Sequence, residues 1–334
     1  MRQIAIVLLA LAMVFTYSMS SRAELIDRGG GLIYDTVLNI TWLQDANYAK
    51  TSDYDMDGAM TWEQAMNWVE NLVYEDPVRS VHWSAWRLPH TLPINGTSYN
   101  FNFPSGYGYG WDGTCDIGYN ITSPNSEMGF MFHVNLGNKS YFDTLGNFPQ
   151  LDYGLKNTYP FVNLVSYHYW SETEYFGYGS PAVAAWNFNF SMGIQNEDDK
   201  TYNLYAWAVR DGDIVDIDIL PDDQSNTLNL KRTKKISVAI LSTPDFDAPS
   251  LIYPPSLVQP PSLTFGPTGV ELSFINCARK PRDINQDGLK DLICNFSAKV
   301  ADFQCGDVEG VLKGDTVTGI SFEGRQSVSL TPCN

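Results

Sequence analysis

From Val215 onward the chain repeats short runs in which apolar and polar residues alternate, the mark of strands with one face buried. "VDIDI" at 215 to 219 and "KISVAILS" at 235 to 242 are the clearest runs, and turns rich in Pro, Asp and Gly, with "PPSLVQPPSL" at 254 to 263, separate them. That punctuation is expected of an all-β sandwich. Upstream the texture differs: residues 24 to 213 mix one helix with strands and long loops of Gly, Asn and Tyr. The expected organisation is therefore an α+β domain over 24–213 and a β-sandwich domain over 214–334, with the boundary at Asp213.

The helix starts at a capping-box pair, Thr61 and Gln64, and Trp62, Ala65, Met66, Val69, Leu72 and Val73 recur at helical spacing until Pro77. "VHWSAWRLP" (81 to 89) reads as a strand entering a turn. "AAWNFNF" (184 to 190) and "LYAWAVRDG" (204 to 212) alternate as adjacent antiparallel strands would.

Arg2, the apolar run Ile4 to Tyr17 and the small-x-small site Ser21-Arg22-Ala23 read as an export signal over residues 1–23, cleaved near Ala23. The run is shorter than the ~20 residues of a spanning helix. No Cys follows it to take a lipid, and no hydrophobic tail follows Thr331-Pro332-Cys333-Asn334. The expectation is a secreted or periplasmic protein without membrane insertion.

Five cysteines on an exported chain suggest disulfides with one thiol left over. Cys277 and Cys294 bracket an acidic loop and Cys305 and Cys333 bracket the last hairpin region, so these pairs are expected and Cys115 is left single. A pairing that includes Cys115 is the alternative. A net charge of −17 argues against nucleic acid and anionic membranes as partners, and suits divalent cations or neutral ligands.

"ITWLQDANYAKTSDYDMDGAMTWEQAMNWV", followed by "WRLP", "NLGNKSYFDT", "YWSETEY" and "YAWAVRDGD", resembles the Lcl C-terminal domain family of bacterial exported proteins over about residues 31 to 213. The resemblance implies a variant of the C-type lectin fold, shared distantly with formylglycine-generating enzymes. The family's best-known member is an adhesin for sulfated glycans. Residues 215 to 334, with "IDILPDD", "ISVAILSTPDFD", "LTFGP", "DINQDGLKDLIC" and "CGDVEGVLKG", resemble a β-sandwich module recurrent in bacterial exported proteins, often beside sorting tails. No sorting tail follows here, which favours release.

Within "DINQDGLKDL", Asp283, Asn285, Asp287 and Asp291 with the Leu289 carbonyl offer alternating oxygens around Gly288, as calcium requires. The twelfth position is Cys294 rather than a bidentate Glu, and "LICNFS" alternates like a strand. The expectation is a structural Ca2+ loop between strands, and the alternative is an Asp-rich turn without metal. Asp53, Asp55 and Asp57 before Gly58 repeat the spacing as a weaker second site, or merely place carboxylates near a helix N-terminus.

"PSGYGYGWDGTCDIGY" (104 to 119) supplies Tyr107, Tyr109, Trp111 and Tyr119 for stacking on sugar faces, with Asp112, Asp116 and Asn120 for hydroxyls. The alternative is that the rings pack inward to tether the loop. Trp42, Trp86, Trp170, Trp186 and Trp207 are assigned to the core. The Glu-Pro-Asn, Gln-Pro-Asp and Trp-Asn-Asp signatures of calcium-dependent lectins are missing, and basic residues do not gather in 24–213 to meet sulfated glycans. His82, His90, His133 and His168 lack zinc spacing, and "SETE" (171 to 174) has no recognisable acid or base partner. The reading that results is noncatalytic recognition of a glycan or another extracellular surface component. A scaffolding role in envelope or matrix is the first alternative, and a glycan hydrolase the second.

Overall fold

The computed structural model describes residues 24–103, 106, 108–177, 183–221, 223, 225–254 and 261–333. The chain is β-rich, and its sheets divide by sequence position. Leu25–Asp27, Leu32–Asp35, Ile40–Leu43 and Val209–Asp211 form a four-stranded antiparallel sheet in that order. A six-stranded sheet runs Ala59–Met60, Leu204–Tyr205, His168–Tyr175, Ala184–Asn189, Ile194–Asp199, Gly118–Tyr119. Its only parallel pair among the described residues joins Tyr205 to Tyr169.

Past Gly212 the chain enters other sheets. Asp213–Ile214 pairs in parallel with Phe322 and Glu323, beside Glu309–Asp315 and Thr264–Gly266. Ile217–Ile219, Lys235–Ile240, Leu292–Ser297 and Phe274–Cys277 form the facing four-stranded sheet. Gly212 itself has φ +81°, and a Cβ there would lie 2.8 Å from the Ser321 carbonyl oxygen, so only glycine lets the chain change sheets here without strain.

Apolar side chains segregate in the same way. Ile217, Ile219, Val238, Phe265, Phe296 and Leu312 belong to one core. Residues 24–214 bury separate clusters around Trp68, Trp83 and Trp170, around Trp42, Phe132 and Trp207, and around Trp186. The tryptophans assigned to the core from sequence are all buried there, each worth ~3–5 kcal/mol on truncation to Ala.

The helix starts where the sequence puts it: Thr61 Oγ1 accepts from Gln64 N, and the Gln64 side chain accepts from Thr61 N. It ends at Glu70 rather than running to Pro77. Leu72 is buried but Val73 is exposed, and Tyr74–Asp76 is instead a strand paired with Val81–Trp83. A tertiary pairing therefore overrides the local helical pattern. The expected pairing of 184–190 with 204–212 is also corrected. His168–Tyr175 lies between them, and the later segment splits, with Leu204–Tyr205 in one sheet and Val209–Asp211 in the other.

Cys277 bonds Cys294 and Cys305 bonds Cys333, while Cys115 is a buried free thiol. The first bridge ties two neighbouring strands at the register Cys277–Cys294. Among the described residues no helix is long and apolar enough to cross a membrane.

Candidate functional site

Three sequence segments were candidates, and the structure places each differently. In the aromatic loop, Tyr107 lies outside the described residues. Tyr119 sits in the strand Gly118–Tyr119 at 4% exposure, with burial pushing its hydroxyl up to about 12. Its ring therefore belongs to the packing rather than to a ligand surface, which corrects its assignment. Tyr109 packs edge-on against it at 5.6 Å.

The polar groups of this loop divide: Asp112 stays exposed and bonds within its own turn, whereas Asp116 and Asn120 bond to the body. Asp112 accepts from the Thr114 amide at 3.1 Å and its hydroxyl at 2.6 Å. Asp116 is fully buried and accepts from the amides of Ile94 and Asn100, and burial raises its carboxyl above the usual range. Asn120, at φ +59°, donates to the carbonyls of Trp111 (2.6 Å) and Phe142 (2.9 Å). Such bonds hold a long loop to the body.

A row of rings next to the loop was not singled out from sequence; its centre, Phe142, is buried, and Phe148 and Tyr153 bring it to the surface. Tyr109 contacts Phe142 at 5.6 Å, Phe142 contacts Phe148 at 4.5 Å, Phe148 lies 5.8 Å from Tyr141, and Tyr141 meets Tyr153 edge-on at 4.9 Å. The Trp111 ring lies against Gly146, where a Cβ would stand 3.0 Å from Cε2. This array leads to an open cleft of about 560 Å³ whose lining includes Pro149, Asp152, Tyr153, Lys156, Ser166 and Ser191. Leu151 in its lining is 82% exposed, and Phe148, which precedes the lining residue Pro149, is 61% exposed.

A tight turn presents Phe148: Asp143 Oδ1 accepts from the amides of Leu145 (2.9 Å) and Asn147 (2.8 Å), and Oδ2 accepts from the Asn147 side chain. Gln150 then donates to the carbonyls of Ser140 and Phe142, holding the returning chain. The sequence shows the rings, in "YFDTLGNFPQLDYG" (141 to 154), but not the bonds that gather them.

The loop 283–291 connects the strands Phe274–Cys277 and Leu292–Ser297, as expected. Asp283 Oδ2 accepts from Gly288 N (3.1 Å), Asn285 Oδ1 from Asp287 N (3.2 Å) and Asp287 Oδ1 from Leu289 N (2.8 Å). Asp283 Oδ1 is buried with no hydrogen-bond partner. Asp291 is fully buried, and its oxygens take the amides of Ser242 (2.9 Å) and Ile284 (2.6 Å). It therefore braces the loop from below, a role different from the ligand role assigned to it from sequence. Among the described residues no three His, Cys, Asp or Glu side chains group as a metal site.

Asp55 and Asp57 cap backbone amides of their own turn. The histidines are dispersed. His90 faces Glu172 at 3.0 Å, His168 faces Asp198 at 3.4 Å and His82 faces Glu309 at 2.9 Å. Glu174 pairs with Lys200, and the Ser171 hydroxyl is committed to the Pro89 carbonyl. Compared with protein-family models, curated proteins and solved structures, the chain matches none.

Proposed function

We propose that residues 24–213 are a C-type-lectin-like domain that binds a glycan or another extracellular surface component without catalysis, carried beside a β-sandwich over 214–334. The observation that carries this reading is the ring array from Tyr109 through Phe142, Phe148 and Tyr141 to Tyr153, with Phe148 and Leu151 exposed beside an open cleft. Aromatic faces stack on the C–H faces of sugar rings, and Asp152, Lys156, Ser166 and Ser191 supply polar partners along the same cleft. The likeness of the motifs over 31 to 213 to the Lcl C-terminal domain family supports the same assignment. The ligand surface in this reading centres on Trp111 and Phe148, and Tyr119 underpins it from within.

Co-sedimentation of the chain from Glu24 onward with insoluble cellulose, chitin and peptidoglycan tests this. Retention on one polymer that Phe148→Ala abolishes is expected, and retention indifferent to Phe148→Ala on every polymer would contradict the assignment of the site. N-terminal sequencing of the exported protein checks the secreted or periplasmic location, with Glu24 as the expected first residue.

A Ca2+ ion fits the loop 283–291 as a structural cofactor. The orphaned Asp283 Oδ1, with oxygens from Asn285, Asp287 and the Leu289 carbonyl, gives donors of the hard type that calcium takes. Asp291 positions that loop through Ile284 and Ser242.

A further inference from the structure

Charge is unevenly distributed along this acidic chain. Residues 24–213 hold eight Lys and Arg against 23 Asp and Glu, whereas 214–334 hold eleven against 15. In the first stretch Arg28, Arg79, Arg87, Lys200 and Arg210 all sit in ion pairs. The second stretch carries "KRTKK", with Lys231, Arg232, Lys234 and Lys235 all exposed and, among the described residues, none in an ion pair.

The fold builds this run into the wall of a cavity. Asn229 Oδ1 accepts from the amides of Lys231 (3.1 Å) and Arg232 (3.0 Å), closing the turn. The Ala298 amide donates to the Lys234 carbonyl at 3.1 Å, and Lys235 pairs with Ser297, so exposed Lys299 stands beside the run. Between Lys234 and Lys299 lies a cavity of about 460 Å³ lined by apolar Leu228, Ile236, Ala298 and Phe303 and by polar groups that include Asn229, Asp302 and Gln304. That volume takes large side chains.

A matching shape lies on the first stretch. The turn at 53–58 is fixed by Asp55 Oδ1 accepting from the amides of Asp57 and Gly58, and by Asp57 Oδ1 accepting from Ala59 N. From it Met56 projects at 94% exposure and Tyr54 at 51%, among the carboxylates of Asp53, Asp55 and Asp57. The knob, where three carboxylates outnumber the nearby Lys50, complements a cavity of mixed lining where Lys234 and Lys299 outnumber the Asp302 carboxylate.

We infer that the Met56 turn of one copy docks into the Lys234–Lys299 cavity of a second copy. The contact is heterologous, because knob and cavity are different surfaces. Each docked copy still offers one free knob and one free cavity, so association can continue head to tail. The contact is small and charge-assisted, which makes it concentration-dependent and sensitive to salt.

Sedimentation velocity of the chain from Glu24 onward reads this directly. At ~50 mM NaCl, where screening is weak, species larger than monomer grow with concentration, and at ~500 mM NaCl they dissociate. Met56→Asp blocks the knob and Lys234→Glu/Lys299→Glu blocks the cavity, so each variant alone sediments as monomer. An equimolar mixture of the two restores one contact and forms a dimer and nothing larger. Wild-type chain that stays monomeric at low salt, assemblies that survive both sets of substitutions, or a mixture that stays monomeric would each overturn the inference.

Discussion

Arg210 Nη2 donates to Glu323 Oε2 at 2.8 Å, and this pair joins the strand Val209–Asp211 of the first sheet to the strand Ser321–Ser327 of the later ones. Both side chains are nearly closed to water. The guanidinium carbons of Arg210 and Arg325 lie 4.7 and 5.3 Å from the centre of the Trp83 ring. Around them Arg28 pairs with Asp213 and Arg79 with Asp216. A buried ion pair adds little net stability over a well-packed apolar pair, but removing one partner strands the other charge.

Glu323→Ala is therefore expected to lose ~3–5 kcal/mol. The double replacement Arg210→Met with Glu323→Leu should recover part of that loss, because Arg325, whose Nε also donates to Glu323 Oε1 at 2.6 Å, is then left with Glu309 as its carboxylate partner. Urea unfolding followed by tryptophan fluorescence measures both, and a single-mutant loss below ~1 kcal/mol, the scale of an exposed pair, would contradict the buried-pair account.

Acid should destabilise the protein through His133. Its imidazole is enclosed between the Phe132 and Phe188 rings, and burial lowers its pKa to about 4, although Asn138 and Gly193 on the backbone favour the charged form. The unfolded chain takes up this proton near the ordinary value of ~6.5. Stability from the neutral imidazole is thus fully present above that value and is lost as pH falls towards 4, by roughly 3 kcal/mol in all. His133→Gln should flatten the curve of stability against pH over that window, and an unchanged slope would contradict it.

Glu323 adds an acid-sensitive contribution at lower pH. Burial would raise its carboxyl, but Arg210, Arg325 and Lys313 outweigh burial and hold it below the usual range. Its stabilisation is present above the ordinary carboxyl value of ~4.3 and fades as pH drops through the lowered folded value. Glu323→Gln should remove this second phase in acid titrations of unfolding free energy. Persistence of that phase in Glu323→Gln would assign it to another group.

Features governed by neighbours a few residues away were legible in the sequence. Thr61 and Gln64 cap each other across three residues, so the helix start was readable. Its end was not, because the pairing of Tyr74–Asp76 with Val81–Trp83 is a tertiary choice. The order of strands escaped for the same reason: nothing within 184–212 announces that His168–Tyr175 inserts between its neighbours. In the candidate site, the Tyr109 and Trp111 segment was found by its local density of rings. Phe142, Phe148 and Tyr153 were missed because only the Asp143 turn and the Gln150 bonds bring them into one array.

Calcium should act on stability through the loop 283–291. Asp287→Ala is expected to lower the melting temperature only when Ca2+ is present, because its carboxylate is exposed and otherwise holds only local turn bonds. Differential scanning fluorimetry in calcium and in chelator separates the cases, and an equal loss under both conditions would contradict the metal site.

The most direct test of the binding account is a glycan array probed with the chain from Glu24 onward, beside Trp111→Ala and Phe148→Ala. The account predicts binding to a restricted set of glycans that both substitutions remove while the melting temperature of Phe148→Ala stays unchanged, since that ring is 61% exposed. Binding that survives both substitutions would contradict recognition through the Trp111 and Phe148 surface.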